Sequence, residues 1–203
     1  MNFPKFFSNL QEKSWYREFL EPVIDEIEPG SELLDIGTGP AKMLEILYKE
    51  KNVICTGVDS NKEMLEEARK KLGRTNINLL HIKAGKPLPF RENVFDYVTI
   101  CNVLFHLDDA GINQILSESF RVMKPEGKVI VLTPTGNNNL FRLTRKYFSF
   151  QNMSIYLWYN ATRKQARRWN KRNYLKEYAL QNNLKYNTEV VLSGFARTEI
   201  IMK

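Results

Sequence analysis

The chain is poor in the residues that staple, ligate or anchor a protein: 203 residues hold two cysteines, two histidines and no long apolar run. Cys55 and Cys101 each sit inside an apolar, β-like stretch and form no Cys-x-x-Cys pair. They are expected to be buried free thiols, not a disulfide, a redox pair or zinc ligands. His81, His106 and the Asp108-Asp109 pair make no recognisable ligand set, so no metal is expected. No stretch approaches the roughly 18 apolar residues that a membrane span requires. The segment Met1 to Leu10 also lacks the continuous apolar core of a secretion signal, so the expectation is a cytoplasmic protein. A chain of this length buries roughly 70% of its unfolded surface around one core, which predicts a single domain over 1–203.

Acid is missing from one region in particular. Net charge is +7, and between Gly127 and Lys176 there is no Asp or Glu but eleven Lys and Arg, leaving the remainder net acidic by four. Most of these cations lie in 142–176, including Arg142, Arg145, Lys146, Arg163, Arg167, Lys171 and Lys176. One-sided basicity suits an anionic partner: a phosphorylated or carboxylated small molecule, a membrane surface or RNA. It equally suits a solvated helix face that only aids solubility, and composition leaves both open.

What the chain does have is alternation. Apolar runs rich in β-branched residues at 32–36, 53–58, 77–82, 95–101 and 128–133 have the length of strands buried on both faces. Helical patterns fall between them at 40–49, 61–72 and 111–123, the order of βαβ units in an α/β fold. Pro40 suits the first position of its helix. Ser60 with Glu63 forms a capping box for the next helix, which Gly73 ends. Before the first strand, 1–30 reads as an amphipathic helical cap with Trp15, Tyr16, Phe19, Leu20 and Val23 on one stripe. The region 134–165 breaks the alternation: Gly136 and three asparagines precede Phe141, Tyr147, Phe148, Phe150, Tyr156, Trp158 and Tyr159. A basic helix at 163–182 and two closing strands, 188–192 and 196–202, joined as a hairpin, complete the reading.

The stretch most specific to a ligand is Leu33-Leu34-Asp35-Ile36-Gly37-Thr38-Gly39-Pro40-Ala41, a buried strand entering a glycine turn and then a helix. Glycine at 37 and 39 permits the tight turn and lets a ligand approach the backbone. Such a crevice lies beyond the carboxyl ends of the strands where the winding reverses. A dinucleotide fingerprint would need a third glycine, but that position is Lys42. Asp59 closes the next strand, twenty residues past Gly39, where an acid accepts hydrogen bonds from ribose hydroxyls, each contributing about 1.5 to 3 kcal/mol.

The run Asp35-x-Gly37-x-Gly39, with Ala41 as the next small residue, resembles motif I of the class I S-adenosylmethionine-dependent methyltransferases. Leu88-Pro89-Phe90, Phe95-Asp96-Tyr97-Val98, Asn102-Val103-Leu104-Phe105-His106, Arg121-Val122-Met123-Lys124-Pro125-Glu126-Gly127 and Gly194-Phe195-Ala196-Arg197 follow in that family's order. Together they look like its small-molecule members, which modify quinones and other metabolites. The resemblance spans nearly the whole chain. It implies a Rossmann-like, doubly wound seven-stranded sheet of order 3-2-1-4-5-7-6 with the last strand antiparallel. It also implies S-adenosylmethionine as cofactor and S-adenosylhomocysteine as product. On this resemblance Asp35 counters the cofactor's ammonium, while Gly37, Thr38 and Gly39 form the loop around it. Asp59 meets the ribose, Met64 and Gly85 the adenine, and Ser60 and Asn102 also belong to the cofactor site. One departure stands out: where the family commonly has Gly-Asp-Ala-Glu before Leu-Pro-Phe, this chain has Lys83-Ala84-Gly85-Lys86, so no carboxylate is available at 84 to bond the adenine amino group.

Methyl transfer from a sulfonium is a direct displacement that needs positioning more than acid–base chemistry. Asn102, His106 and Tyr16 are the candidates for orienting an acceptor or taking its proton, and 134–165 is the candidate lid or acceptor pocket. The expected acceptor is small, anionic or lipid-like. Alternatives left open are an RNA or phospholipid methyltransferase, a cofactor-binding module without catalysis, and a nicotinamide oxidoreductase.

Overall fold

The centre of the molecule is a mixed, mostly parallel sheet whose residues face alternate layers, as the two-residue period of a strand requires. The computed structural model describes residues 3–136 and 153–203. Its strands are β1 (Glu32–Ile36), β2 (Ile54–Asp59), β3 (Asn78–His81), β4 (Phe95–Cys101), β5 (Met123–Pro134), β6 (Lys185–Val191) and β7 (Ala196–Met202). They form one seven-stranded sheet, β3-β2-β1-β4-β5-β7-β6. The β1–β2, β1–β4, β2–β3 and β4–β5 pairs are parallel, and β7 runs antiparallel to both β5 and β6. That is the topology the resemblance implied.

Adjacent residues of β1 and β5 divide between two apolar cores: Leu33 and Ile130 join one, Leu34 and Val131 the other. The first core packs against the N-terminal helices α1 (Phe3–Gln11) and α2 (Ser14–Glu26), and against α3 (Lys42–Lys51). Trp15, Tyr16, Phe19, Leu20 and Val23 are all buried there, the stripe the sequence pattern predicts. Lys51 Nζ finishes α2 by donating to the carbonyls of Ile24 (2.6 Å) and Ile27 (2.7 Å). The opposite core is covered by α5 (Asp109–Val122), which runs into β5 without an intervening residue. Between β2 and β3 lies α4 (Lys62–Leu72).

Several boundaries depart from the sequence reading, each for a local reason. Helix α3 begins at Lys42, because Ala41 adopts a left-handed conformation (φ 61°); Pro40 therefore lies in the turn, not at the first helical position. The cap of α4 is Asn61 and not Ser60: its side chain accepts from the N–H groups of Glu63 (2.9 Å) and Met64 (3.1 Å). The basic helix is longer and divided, α6 (Met153–Arg172) and α7 (Tyr174–Gln181), with left-handed Asn173 (φ 47°) at the joint. Of the aromatic segment, Trp158 and Tyr159 are core residues. Trp158 packs against Trp15 and Phe19 with ring centroids 5.3 and 5.2 Å apart. Phe141, Tyr147, Phe148 and Phe150, and with them the centre of the expected lid, lie outside the described residues. No helix among the described residues is long and apolar enough to cross a membrane.

Candidate cofactor site at the carboxyl edge of the sheet

The turn after β1 is bonded to the end of β2. Gly37 and Thr38 donate their N–H groups to Val58 O (2.8 and 3.1 Å), and Gly39 N–H donates to Asp59 Oδ2 (2.8 Å). Asp59 Oδ1 accepts a further N–H from Asn61 (2.8 Å), so one carboxylate joins the glycine turn to the cap of α4. Gly37 is required twice over: its φ is 77°, and a Cβ there would stand 2.4 Å from Val103 Cγ2. Asp35, 4% exposed, accepts a hydrogen bond from Thr99 Oγ1 (2.8 Å). Burial pushes its carboxyl up to about 6, with the nearby Asp59 charge acting in the same direction and Thr99 opposing.

These residues border a cavity of about 160 Å³ whose walls include Gln11, Tyr16, Asp35, Thr38, Asp59 and Asn102. Helix α1 forms its cover: Phe7 lies over Gly39, and Glu12, just past the helix, is ion-paired to Lys42 (2.6 Å) and Lys71 (2.5 Å). Tyr16 is buried, its hydroxyl accepts from Gln11 Nε2 (3.1 Å), and burial holds it well above the usual tyrosine range. Gln11 Oε1 and both amide atoms of Asn102 are buried without a hydrogen-bond partner. Unsatisfied buried groups of this kind mark a place where a polar ligand belongs.

A second cavity of about 460 Å³ adjoins the first, sharing Gly37, Asp59 and Val103 as walls. Its lining is largely apolar, with Ile82, Leu107, Ile115 and Leu88, the first residue of the Leu-Pro-Phe segment. Two residues of α5 hold that segment in place. Glu118 accepts from Leu88 N–H (2.7 Å), and Arg121 donates to the carbonyls of Phe90 (2.8 Å) and Leu88 (3.0 Å) while pairing with Glu118 (2.7 Å).

The structure brings Tyr16, Asp35, Gly37, Thr38, Gly39, Asp59, Met64 and Asn102 to the first cavity, and Ser60 and Gly85 to the second. Met64 borders only the smaller cavity and does not line the larger, apolar one. His106 borders neither cavity; it is exposed in a 3-10 turn, its ring 4.1 Å from that of Phe105. Gln11 and Gln114, which line the first and second cavity respectively, escaped the sequence reading because a glutamine on an amphipathic helix carries no linear motif. Among the described residues no cluster of His, Cys, Asp or Glu is placed to hold a metal.

S-adenosylmethionine fits this arrangement. Its ammonium and carboxylate match the unpaired polar atoms of Gln11 and Asn102 beside Asp35, its ribose hydroxyls the Asp59 carboxylate shared by both cavities, and its purine the apolar slot.

Comparison with known proteins agrees. Residues 34–131 match the methyltransferase domain family. Over 144 residues the chain is 32% identical to a ubiquinone/menaquinone biosynthesis C-methyltransferase of Desulfotalea psychrophila, covering 69% of this chain and 56% of that protein. Over 129 residues it is 36% identical to a demethylmenaquinone methyltransferase of Shouchella clausii, covering 60% and 52%. The chain thus spans about half the length of these relatives. A SAM-dependent methyltransferase from Aquifex aeolicus superimposes with a TM-score of 0.67 at 16% identity, over 98% of this chain and 97% of that one. A Pyrococcus horikoshii protein superimposes at 0.66 and 18%, over 95% and 93%. At such identities the likeness is one of fold. Sheet order, motif order and the matched domain together place this chain in the class I S-adenosylmethionine-dependent methyltransferases.

Proposed function

We propose that the domain binds S-adenosylmethionine across the two joined cavities and methylates a small, apolar acceptor bearing an ionisable ring or hydroxyl, of the quinone-precursor kind. The observation that carries this reading is the set of buried, unpartnered polar atoms of Gln11 and Asn102 facing a cavity bordered by Asp35 and Asp59. The relatives' names support a quinone-type acceptor without fixing which one.

Bound there, the cofactor supplies an electrophilic methyl on a sulfonium. The protein's part is to place the acceptor in line and keep water out, an effect worth about 7 to 11 kcal/mol. Asp35 as carboxylate offsets the ammonium, and Asp59 accepts from the sugar hydroxyls on lone pairs left by Gly39 and Asn61. Tyr16, held protonated by burial, donates a hydrogen bond and does not act as a base near neutral pH. Asn102 orients and cannot take a proton. Among the described residues none of these groups takes the acceptor's proton near neutral pH, which suits an acceptor whose carbon or hydroxyl is acidic enough to ionise into solvent.

Calorimetry with S-adenosylhomocysteine tests the reading. Micromolar binding is expected, about −8 kcal/mol, weakened at least about tenfold by Asp59→Ala because two charge-assisted bonds are lost. No binding at saturating concentration, or binding of a nicotinamide dinucleotide instead, would overturn it. Binding without turnover on a panel of demethylated quinone precursors would leave a cofactor-binding module and remove the acceptor assignment.

The exposed cations of α6 favour a compatible second reading in which the acceptor is met at an anionic surface: Arg163, Lys164, Arg168 and Lys171 all face solvent.

A further inference from the structure

The purine slot has a polar wall that the methyltransferase motifs do not account for. A 6-amino purine presents a donor and an adjacent ring acceptor on one edge, and a cavity that buries it needs a partner for both. The residue that could have supplied a carboxylate, Ala84, has none. The carboxylates around the slot each already hold a donor of the protein. Asp59 holds Gly39 and Asn61, Asp108 accepts from Gly111 N–H (2.9 Å), and Glu118 is occupied by Leu88 N–H and Arg121. Ser60 lies beside Asp59 at the sugar end. Gln114 is different: it lines the slot from α5, and its Oε1 lies 3.8 Å from where a Cβ of Gly85 would be. It is half-buried.

Resting on the proposed cofactor reading, we propose that Gln114 recognises the purine edge in place of the missing carboxylate, and that it thereby relaxes discrimination between 6-amino and 6-oxo purines. A carboxamide offers a carbonyl and an N–H₂ side by side. In one orientation it accepts from the 6-amino group and donates to N1; rotated by half a turn it donates to a 6-oxo group and accepts from N1–H. A carboxylate is an acceptor alone and would be set against a 6-oxo oxygen.

The test is calorimetric and needs no turnover: the full chain is titrated with S-adenosylhomocysteine and with its deaminated 6-oxo analogue, S-inosylhomocysteine. The unaltered protein should bind the two within about threefold, the expected result when one hydrogen-bonding pair replaces another. Gln114→Ala should weaken S-adenosylhomocysteine roughly three- to tenfold, and adding Ala84→Asp to that variant should restore it. Gln114→Glu should weaken both ligands about tenfold, because a carboxylate accepts from the 6-amino group or from N1–H but has no N–H for N1 of the one ring or for the 6-oxo oxygen of the other. If the unaltered protein binds S-adenosylhomocysteine while Gln114→Ala and Gln114→Glu leave both affinities unchanged, the inference is overturned and the cofactor reading stands. If the unaltered protein does not bind it at all, both fall.

Discussion

Two residues at the turn after β1 carry separable roles. Gly37 permits the close packing of the turn on Val103: Gly37→Ala would place a Cβ at a left-handed φ and within 2.4 Å of a methyl carbon. Loss of S-adenosylhomocysteine affinity by at least about tenfold, with a destabilisation of about 1 to 3 kcal/mol by thermal unfolding, is expected. Asp35 sets a pH dependence instead. Its carboxyl is raised to about 6 in the ligand-free fold, so it is charged at pH 7 and mostly neutral at pH 5. A cofactor ammonium is held by the charged form, so affinity should fall about tenfold from pH 7 to 5, and Asp35→Asn should flatten that profile. The sign for folding is the reverse. An acid titrating higher when folded disfavours the fold as pH rises from the unfolded value of 3.8 through about 6. Calorimetry and unfolding measured across this range should therefore slope in opposite directions; a binding profile flat from pH 5 to 7 would remove Asp35 from ligand contact. Asp35, Gly37 and Asp59 were legible in the chain because a strand, a glycine turn and a strand-end acid fix them locally. His106 was not. Its residue type suggested chemistry, whereas the 3-10 turn that carries it directs it to solvent.

At the level of single elements, the caps and ties around the site matter more than helix propensity. Asn61 is both the N-cap of α4 and a wall residue of the smaller cavity. Asn61→Ala should cost about 1 kcal/mol of stability, seen as a few degrees in Tm. Helix α1 is held over the cavity by the ion pairs from Glu12 to Lys42 and Lys71. Since Glu12 is 45% exposed, each pair contributes at most about 1 kcal/mol. Glu12→Gln should raise the dissociation constant for S-adenosylhomocysteine only about two- to fivefold, and the difference should shrink in high salt. The strands were readable from sequence because runs buried on both faces are continuous and apolar. The helix limits were less so: left-handed Ala41 and Asn173 end or begin helices at residues whose type does not demand that conformation.

Across the whole molecule, burial and charge are divided between different faces of the same helix. On α6, Trp158 joins α2 to the sheet while the cations of the following turns point outward. Trp158→Ala should destabilise the fold by about 3 to 5 kcal/mol in denaturant titration. Replacing Arg163, Lys164, Arg168 and Lys171 together by Ala should leave S-adenosylhomocysteine binding unchanged and abolish any salt-sensitive retention on anionic vesicles. Equal retention of both proteins would return the basic segment to a merely solvating role. Composition showed this charge but not its direction, which follows only from which side of α6 meets the core.

The join between α5 and β5 has a mechanical consequence. Phe95 pairs with Met123 and Tyr97 with Lys128, so one residue of β4 faces four of β5, and this irregular stretch separates the helix that holds Leu88 and presents Gln114 from the regular ladder in the middle of the sheet. Displacement of that wall of the second cavity is taken up at 124–127 before the β5–β7 ladder is disturbed.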